Sequence, residues 1–386
     1  MKIFHLSDLH IGLKLLNRDF FEDQKFILNQ IIQKAFSENP DAILIAGDIY
    51  DKAIPSAEAV NLFDSFISEL KNLLPNCKIM IISGNHDSPS RINIFRNILR
   101  QENIFMIGLP PQNQNQFIEK VTIEDEFGKV NFYLLPFVKP TMIKEIVGCD
   151  ENGNNLSYNE SIRRLILREN INQNERNIIV SHQFYIPFGE NAENIERSDS
   201  EIVSVGNIDA VNSDILNIFD YAALGHIHKP MKLGSENIRY CGTPLACSVS
   251  EANQQKNIIM LELFEKNNSK ITPIFLEPLR KIKVIIGTSE EVLMQACDDY
   301  AKIVLTDTVD TDVIEVQDKI RNSFPNLLEI SRKSFFTANY QSDINFEEEL
   351  DVFQLCKNFL GDLNDDELKI LSNVINSVQE GNYETN

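Results

Sequence analysis

Short apolar runs alternate with longer amphipathic stretches along the first half of the chain. Residues 3–7, 42–46 and 78–82 are compact apolar runs, and their length favours buried strands over helices. Between them, residues 18–37 and 56–73 carry apolar side chains at helical spacing. Strands that alternate with helices in this way predict an α/β fold.

The alternation continues through the middle of the chain. Residues 117–136 predict a β-hairpin that turns at Phe127-Gly128-Lys129, and Ser88 followed by Pro89 predicts the start of a helix. One further helix and four strands are predicted, at residues 160–169, 177–180, 221–224, 257–264 and 270–276. The polar stretch at residues 183–206 is too long for an ordinary connection, so we expect a functional loop there.

The pattern changes near Glu277-Pro278. Residues 281–330 read as strand, helix, strand, helix and strand, which predicts a small separate α+β unit. Two amphipathic segments follow in the acidic end of the chain. We therefore expect a main domain at residues 1–276, a small second domain at residues 277–338 and an acidic helical tail at residues 339–386.

Acidic residues dominate the charge of the chain. The formal net charge is −21, whereas a protein that grips nucleic acid alone usually presents a basic face. Residues 341–386 hold 11 acidic residues against two lysines, so much of the excess lies in the tail. The charge argues against strong binding of the chain alone to long nucleic acid. It is compatible with a nuclease whose partner supplies part of the nucleic-acid-binding surface. Arg91, Arg96, Arg100 and Arg280 are candidate phosphate contacts, and the sequence singles out none of them.

The sequence gives no sign of export or membrane insertion. Residues 1–6 run directly into Asp8, so we expect no signal peptide, and no apolar run approaches the roughly 20 residues that span a bilayer. The six cysteines form no CxxC pair, so we expect reduced thiols. These features predict a cytoplasmic protein that does not enter a membrane.

Histidines are rare and lie in short polar motifs that follow apolar runs. Five of the six histidines belong to these motifs, and only His5 lies outside them. In chain order the motifs are Asp8-Leu9-His10, Gly47-Asp48, Gly84-Asn85-His86-Asp87, Ser181-His182 and Gly225-His226-Ile227-His228. Because ligands of open α/β sheets bind beyond the carboxyl ends of the strands, one sheet edge can gather these side chains.

Each motif alone has an ordinary structural explanation. In an extended backbone, the side chains of Asp8 and His10 would point to the same face. Polar residues are nevertheless common at strand ends that bind no ligand. Gly-Asp is a common turn, and a single histidine such as His182 is more often structural than a ligand. The motif around His86 is more specific, because a turn followed by a helix cap does not require histidine. Here Asp87 would orient His86, which could then donate a proton.

Together the motifs supply enough nitrogen and oxygen ligands for two metal ions. Seven side chains qualify, namely those of Asp8, His10, Asp48, Asn85, His182, His226 and His228. With Asp48 shared, each ion has four ligands, and paired ions of this kind, about 3.5–4 Å apart, suit phosphate-ester hydrolysis. His86 is left without a metal and is free to protonate the leaving group.

The order of the motifs resembles the calcineurin-like metallophosphoesterase superfamily, whose pattern is D-x-H, GD, GNH[DE], H and GHxH. Within it the chain is most similar to the SbcD family of bacterial nuclease subunits. The similar segments are residues 3–12, 46–51, 84–88, 135–140, 223–230 and 240–245. The resemblance implies an α+β sandwich with a small α+β cap domain and a helical C-terminal tail, and it covers about residues 1–335.

The resemblance also implies roles for individual residues. One manganese ion would be held by Asp8, His10, Asp48 and His228, and the second by Asp48, Asn85, His182 and His226, with magnesium as the alternative metal. His86 would be the proton donor, assisted by Asp87. Archaeal and eukaryotic relatives usually carry a histidine three residues after the bridging aspartate, whereas this chain has Asp51, as bacterial SbcD proteins commonly do. Asp51 is therefore a third candidate catalytic residue.

The implied activity is a 3′–5′ exonuclease on double-stranded DNA and an endonuclease on single strands or hairpins, in DNA repair, recombination and replication. The implied partners are DNA, an SbcC-like coiled-coil ATPase that docks partly on the tail, and a second copy of the chain, giving a homodimer within a heterotetramer. The tail could equally pack on its own domain.

Two other functions remain open. A stand-alone phosphoesterase acting on small nucleotides or phosphoproteins would suit the acidic charge. The third hypothesis is a metal-bound scaffold with little activity of its own. The complete ligand set argues against it, because an inactive site does not need to keep every ligand.

Overall fold

Two six-stranded sheets form the centre of the molecule in a computed structural model. The structure describes residues 1–151, 153–190, 195, 197–201, 209–307 and 313–332, and isolated positions between 356 and 375. In spatial order the first sheet holds Ser269–Phe275, Asn257–Leu263, Lys2–Leu6, Ala42–Ala46, Lys78–Ile82 and Ile104–Ile107. The last four of these strands run parallel, and the first two complete the sheet as antiparallel strands.

The second sheet also has six strands. In spatial order it holds Met231–Leu233, Ser235–Tyr240, Tyr221–Leu224, Arg176–Ser181, Gly128–Leu135 and Glu119–Asp125. Its four inner strands are parallel, and each edge strand is antiparallel to its neighbour. Glu119–Asp125 and Gly128–Leu135 form the hairpin that the sequence predicts.

Three apolar layers hold the two sheets and their helices together. Leu44 and Met80 of the first sheet pack with Phe132 and Ile178 of the second, all fully buried. Helices Phe21–Glu38 and Ala57–Leu73 cover the outer face of the first sheet. Helices Pro140–Val147 and Tyr158–Leu167 cover the outer face of the second. The order helix, sheet, sheet, helix confirms the predicted α/β sandwich.

Local hydrogen bonds set the helix ends. The first long helix begins at Phe21 rather than Arg18, because Arg18–Asp19 pairs with Lys14–Leu15 as a small hairpin. Ser56 caps the second helix by accepting a hydrogen bond from the Ala59 amide. Ser88 precedes the short helix Pro89–Ile92 as predicted, but its hydroxyl makes no capping bond.

The remaining short elements connect the layers. The predicted loop at residues 183–206 contains the strand Tyr185–Ile186, which pairs with Val211–Asn212. Within the described residues, the chain also forms the short α-helix Arg96–Leu99 and the 3-10 helices Arg100–Glu102, Ser213–Ile218 and Val249–Glu251.

A third, parallel sheet follows, built from Ile282–Gly287, Tyr300–Leu305 and Leu327–Arg332. Helices Ser289–Leu293 and Val313–Ser323 accompany it and share a separate core with it. The Tyr300 ring stacks on Phe20 at a centroid distance of 4.2 Å, and its hydroxyl donates to Asp23 at 2.8 Å.

The predicted tail falls almost wholly outside the described residues. Among the described helices, none has the length and apolar content needed to cross a bilayer.

Candidate metal centre

The predicted ligands meet at the carboxyl ends of five parallel strands from both sheets. Asp8 follows Lys2–Leu6, and Asp48 follows Ala42–Ala46. Asn85, His182 and His226 follow the corresponding strands Lys78–Ile82, Arg176–Ser181 and Tyr221–Leu224. His10 and His228 lie two residues further along their loops. The structure thus brings together all seven side chains that the sequence singled out.

The backbone at these strand ends differs from the extended form expected for Asp8 and His10. Asp8, His10 and Asp48 have φ values of 53°, 43° and 48°, and His226 has 105°. The Asp8 and His10 amides donate to the carbonyl oxygens of Gly47 and Asp48, both at 3.0 Å. These cross-loop bonds stabilise left-handed turns that residues with a side chain rarely adopt. The two side chains therefore converge through turns and not through strand alternation.

Two of the histidines face each other beside the aspartates. The Nε2 atoms of His10 and His228 are 3.1 Å apart. Ligand atoms of His10, His228 and Asp8 all lie within 4.8 Å of one another. Nε2 of His10 is also 3.8 Å from the Asp48 carboxylate. Two histidine nitrogens directed at one point beside carboxylates are the donor arrangement that a divalent ion requires.

A second group of donors surrounds Asn85. Its Oδ1 atom lies 2.9 Å from Nδ1 of His226 and 3.0 Å from Nε2 of His182. Nε2 of His182 lies 3.3 Å from the Asp48 carboxylate and 3.9 Å from that of Asp8. Asp48 therefore stands between the two groups, as a bridging ligand must.

Glycine is required where two of these loops approach each other. A Cβ atom on Gly225 would overlap the Ala46 carbonyl oxygen. A Cβ atom on Gly47, which has a φ of +92°, would overlap the His182 ring. The glycines that precede Asp48 and His226 thus allow the strand ends to close on each other.

Burial and mutual charge set the protonation of the cluster. Burial lowers the pKa of His10 to about 3 and raises the pKa of Asp8 to about 6. Burial alone would raise the pKa of Asp48, but the neighbouring His182 and His10 hold this pKa below its usual range. Against its own burial, His182 has its pKa raised to about 9 by Asp48. A neutral His10 and an ionised Asp48 are in the forms that bind metal.

Hydrogen bonds fix which nitrogen of His182 faces the cluster. Its Nδ1 atom lies 2.6 Å from the Ala46 carbonyl oxygen, which can only accept, so Nδ1 is the donor. Nε2 is thereby directed toward Asn85 and Asp48. Metal-binding histidines are commonly oriented by a carbonyl in this way. Nitrogen and oxygen donors that are buried, oriented and mutually close fit divalent metal ions.

His86 is half-buried, and one of its ring nitrogens lies within 4.8 Å of ligand atoms of His10 and Asp48. Its Nδ1 atom donates to the carbonyl oxygen of Asp51 at 3.0 Å, and its amide donates to Asp48 at 2.8 Å. Its ring centroid is 4.9 Å from that of His10. The ring is thus held in one orientation with Nε2 left for chemistry.

The expectation that Asp87 orients His86 is wrong. The Asp87 carboxylate accepts from the amides of Ile49, Tyr50 and Gly84 at 2.9–3.1 Å. It therefore ties the loop after Asp48 to the loop that carries His86. The partner that orients His86 is the backbone of Asp51, whose own carboxylate lies 3.9 Å from Nδ1 of His10.

A buried glutamate behind His228 was missed from the sequence. The Glu251 carboxylate is fully buried and lies 3.1 Å from Nδ1 of His228. Its other oxygen accepts from Lys256 at 2.6 Å and from Thr243 at 3.1 Å. Nothing in the local pattern distinguishes Glu251 from a surface glutamate. In metal sites, a carboxylate nevertheless commonly accepts a hydrogen bond from the ring nitrogen of a histidine ligand that faces away from the metal.

The strand-end geometry and the motif order agree with comparisons to known proteins. Residues 1–230 match the family described as calcineurin-like phosphoesterase. The chain belongs to this family. It is 29% identical over 378 residues to the SbcD subunit of the SbcCD nuclease from Staphylococcus epidermidis, and the match covers 95% of each protein. The predicted resemblance to SbcD-type subunits is thereby confirmed as a similarity along nearly the whole chain.

Two solved structures also match part of the chain. One is TT1561 of Thermus thermophilus, with a TM-score of 0.38 and 13% identity, covering 70% of this chain and 98% of that one. The other is a dimetal phosphatase from Danio rerio, with a TM-score of 0.39 and 12% identity, covering 72% and 98%. Scores at this level add nothing on function. Family membership by itself supports hydrolase chemistry at a site suited to divalent metal ions.

Proposed function

We propose that the chain is an SbcD-like nuclease subunit that hydrolyses DNA phosphodiesters with two divalent metal ions. The observation that carries this proposal is the convergence of seven nitrogen and oxygen donors at five strand ends, with half-buried His86 beside them. The similarity to a nuclease subunit over 95% of the chain supports DNA as the substrate.

The family resemblance implies two ligand sets, and the donor distances support them. Asp8, His10, Asp48 and His228 would hold one manganese ion, and Asp48, Asn85, His182 and His226 would hold the other, with magnesium as the alternative. Bound there, the ions would supply an activated hydroxide and neutralise phosphate charge. The protein itself presents a neutral His10 and an ionised Asp48 in a buried site, and metal binding would displace the proton that Asp48 stabilises on His182.

His86 would protonate the leaving oxygen of the cleaved strand. The Asp51 carbonyl oxygen accepts the Nδ1 proton, so Nε2 of His86 is the atom that holds and donates a proton. Asp51 would also orient His10 through its carboxylate. Asp87 would act indirectly, because its hydrogen bonds fix the loop that carries Asp48 against the loop that carries His86.

The wider assignment follows the SbcD-type resemblance. Residues 1–276 would be the nuclease domain, residues 277–338 a cap that contacts DNA, and residues 339–386 a docking segment for an SbcC-like coiled-coil ATPase. The chain would act in the cytoplasm as a homodimer within a heterotetramer, in DNA repair, recombination and replication. Its activities would be 3′–5′ exonuclease on duplex ends and endonuclease on single strands and hairpins.

One observation favours a second candidate, a stand-alone phosphoesterase for small nucleotides or phosphoproteins. The net charge of −21 repels long nucleic acid unless a partner supplies a basic surface. The two candidates differ in whether DNA alone is a substrate.

The deciding experiment is hydrolysis of end-labelled duplex and hairpin DNA by the purified full chain, beside a chromogenic phosphodiester, with manganese, magnesium or chelator. The nuclease proposal predicts manganese-dependent shortening of the DNA, which chelator abolishes. Turnover of the small ester with DNA left intact, even after an SbcC-like partner is added, would support the second candidate instead.

A further inference from the structure

Gln24 lies buried behind the turn that carries His10. It is the fourth residue of the helix Phe21–Glu38, and 4% of its surface is exposed. Its Nε2 atom donates to the carbonyl oxygen of His10 at 2.6 Å, and its Oε1 atom accepts from the Gly12 amide at 2.9 Å. One neutral side-chain amide thus joins two points of the turn that directs His10 toward the metal centre.

These bonds fix a backbone that is strained without support. His10 has a φ of 43°, which a residue with a side chain rarely adopts. Its amide donates to the carbonyl oxygen of Asp48 at 3.0 Å, and its carbonyl oxygen also accepts from the Leu13 amide at 3.1 Å. Gln24 is therefore not needed to give that buried oxygen a partner. What Gln24 adds is an attachment of the turn to the helix.

The preceding residue, Asp23, anchors the small domain that contains the third sheet (residues 280–332). Asp23 is 1% exposed. Its Oδ2 atom accepts from Nη1 of Arg280 at 2.6 Å and from the hydroxyl of Tyr300 at 2.8 Å. Arg280, which the sequence offered as a phosphate contact, is thus engaged in joining this domain to the helix. Two adjacent residues of one helical turn contact the small domain and the turn at His10.

We propose that Gln24 is a positioning residue for His10, and that Asp23 makes this positioning depend on how the small domain is seated. The proposal rests on the proposed function, because it takes His10 as a ligand of one of two metal ions. Displacement of the small domain would move the helical turn and, through Gln24, the backbone of His10. Since Gln24 carries no charge, its effect on metal affinity is geometric and not electrostatic.

The first test titrates manganese calorimetrically into the metal-free full chain, for wild type, Gln24→Met, His10→Ala and the double variant. Methionine has a similar length but cannot donate a hydrogen bond and accepts one only weakly. Loss of the two hydrogen bonds predicts roughly 10-fold weaker binding of one of the two ions. In the His10→Ala background, Gln24→Met should leave the affinity of the remaining ion unchanged, because the ligand that Gln24 positions is absent.

The second test compares Arg280→Gln with the matched control Lys283→Gln. Lys283 belongs to the same domain but pairs with Asp299 at 2.8 Å, so the control removes the same charge without releasing Asp23. Loss of a positive charge alone would leave manganese binding unchanged or tighter. Arg280→Gln should instead weaken it by roughly 3- to 10-fold. Combined with Gln24→Met, the total loss should be smaller than the product of the separate losses, because both act through one turn.

Three results would overturn the positioning role of Gln24. They are wild-type manganese affinity in Gln24→Met, loss of both ions in that variant, and an equal loss in the His10→Ala background, which would make the side chain merely structural. Equal affinities in Arg280→Gln and Lys283→Gln would refute the dependence on the small domain. The wild type reports on the proposed function separately, since a wild-type chain that binds no manganese would refute both proposals.

Discussion

Replacing Glu251 with glutamine should weaken both the fold and the metal site. Glu251 is fully buried, and Lys256, its partner at 2.6 Å, is 6% exposed. Glutamine keeps the shape of the side chain but leaves the Lys256 charge uncompensated in the interior. Breaking a buried pair on one side costs about 3–5 kcal/mol. We therefore expect the metal-free variant to lose that much unfolding free energy.

The same substitution removes the charged partner of His228. Although burial opposes it, the hydrogen bond and charge of Glu251 raise the pKa of His228, so the carboxylate makes this ring more basic. Loss of such a partner commonly lowers metal affinity by roughly 10- to 100-fold. Manganese titration of the metal-free protein should detect a loss of this size.

A second variant separates the two effects. Changing Lys256 to methionine together with Glu251→Gln removes both charges, and most of the lost stability should return, as seen when buried pairs are replaced as a unit. Manganese affinity should stay low, because His228 still lacks its carboxylate. Denaturant unfolding of the metal-free proteins measures the free energy of unfolding, and calorimetry measures the manganese affinity. Wild-type manganese affinity in Glu251→Gln would refute the reasoning.

Four other changes test the centre. Asp48→Ala should abolish manganese binding at both positions, and a metal content near that of wild type would disprove the bridging role. His86→Ala should retain both metals and lose most turnover, which metal analysis and a rate assay would check together; loss of metal would make His86 a ligand instead. Gly225→Ala should cost about 1–3 kcal/mol and reduce manganese binding, because its Cβ overlaps the Ala46 carbonyl oxygen. Burial raises the pKa of Asp8 to about 6, and Asp48 raises the pKa of His182 to about 9, so protons should compete with metal at both residues. Manganese affinity measured from about pH 5 to pH 8 should fall throughout as the pH drops, most steeply below about pH 6, and an affinity independent of pH would contradict this.

The strands and the convergence of the seven candidate side chains were predictable because both follow from local pattern. A five-residue apolar run such as Ala42–Ala46 is too short for a typical helix and therefore favours a buried strand, and its bounds were predicted correctly. The polar residues that follow such runs must then lie at one sheet edge. This reasoning found Asp48, His182 and His226 without any knowledge of their partners.

What the sequence could not reveal depends on contacts between distant segments. The turns at Asp8 and His10 are stabilised by carbonyl groups more than 35 residues away, so their backbone angles have no local signature. Glu251 lies in a polar stretch that resembles ordinary surface. The orientation of His86 was assigned to its sequence neighbour Asp87, but the fold gives that task to the carbonyl oxygen of Asp51.

The central claim is that two metal ions act together on DNA at this centre. The most direct test titrates manganese into the metal-free full chain, with its partner ATPase if DNA cleavage requires one, and follows bound metal and cleavage of an end-labelled duplex in the same samples. The account predicts that cleavage rises as the second ion binds. Full cleavage with one ion per chain, or intact DNA with both ions and the partner bound, would contradict it.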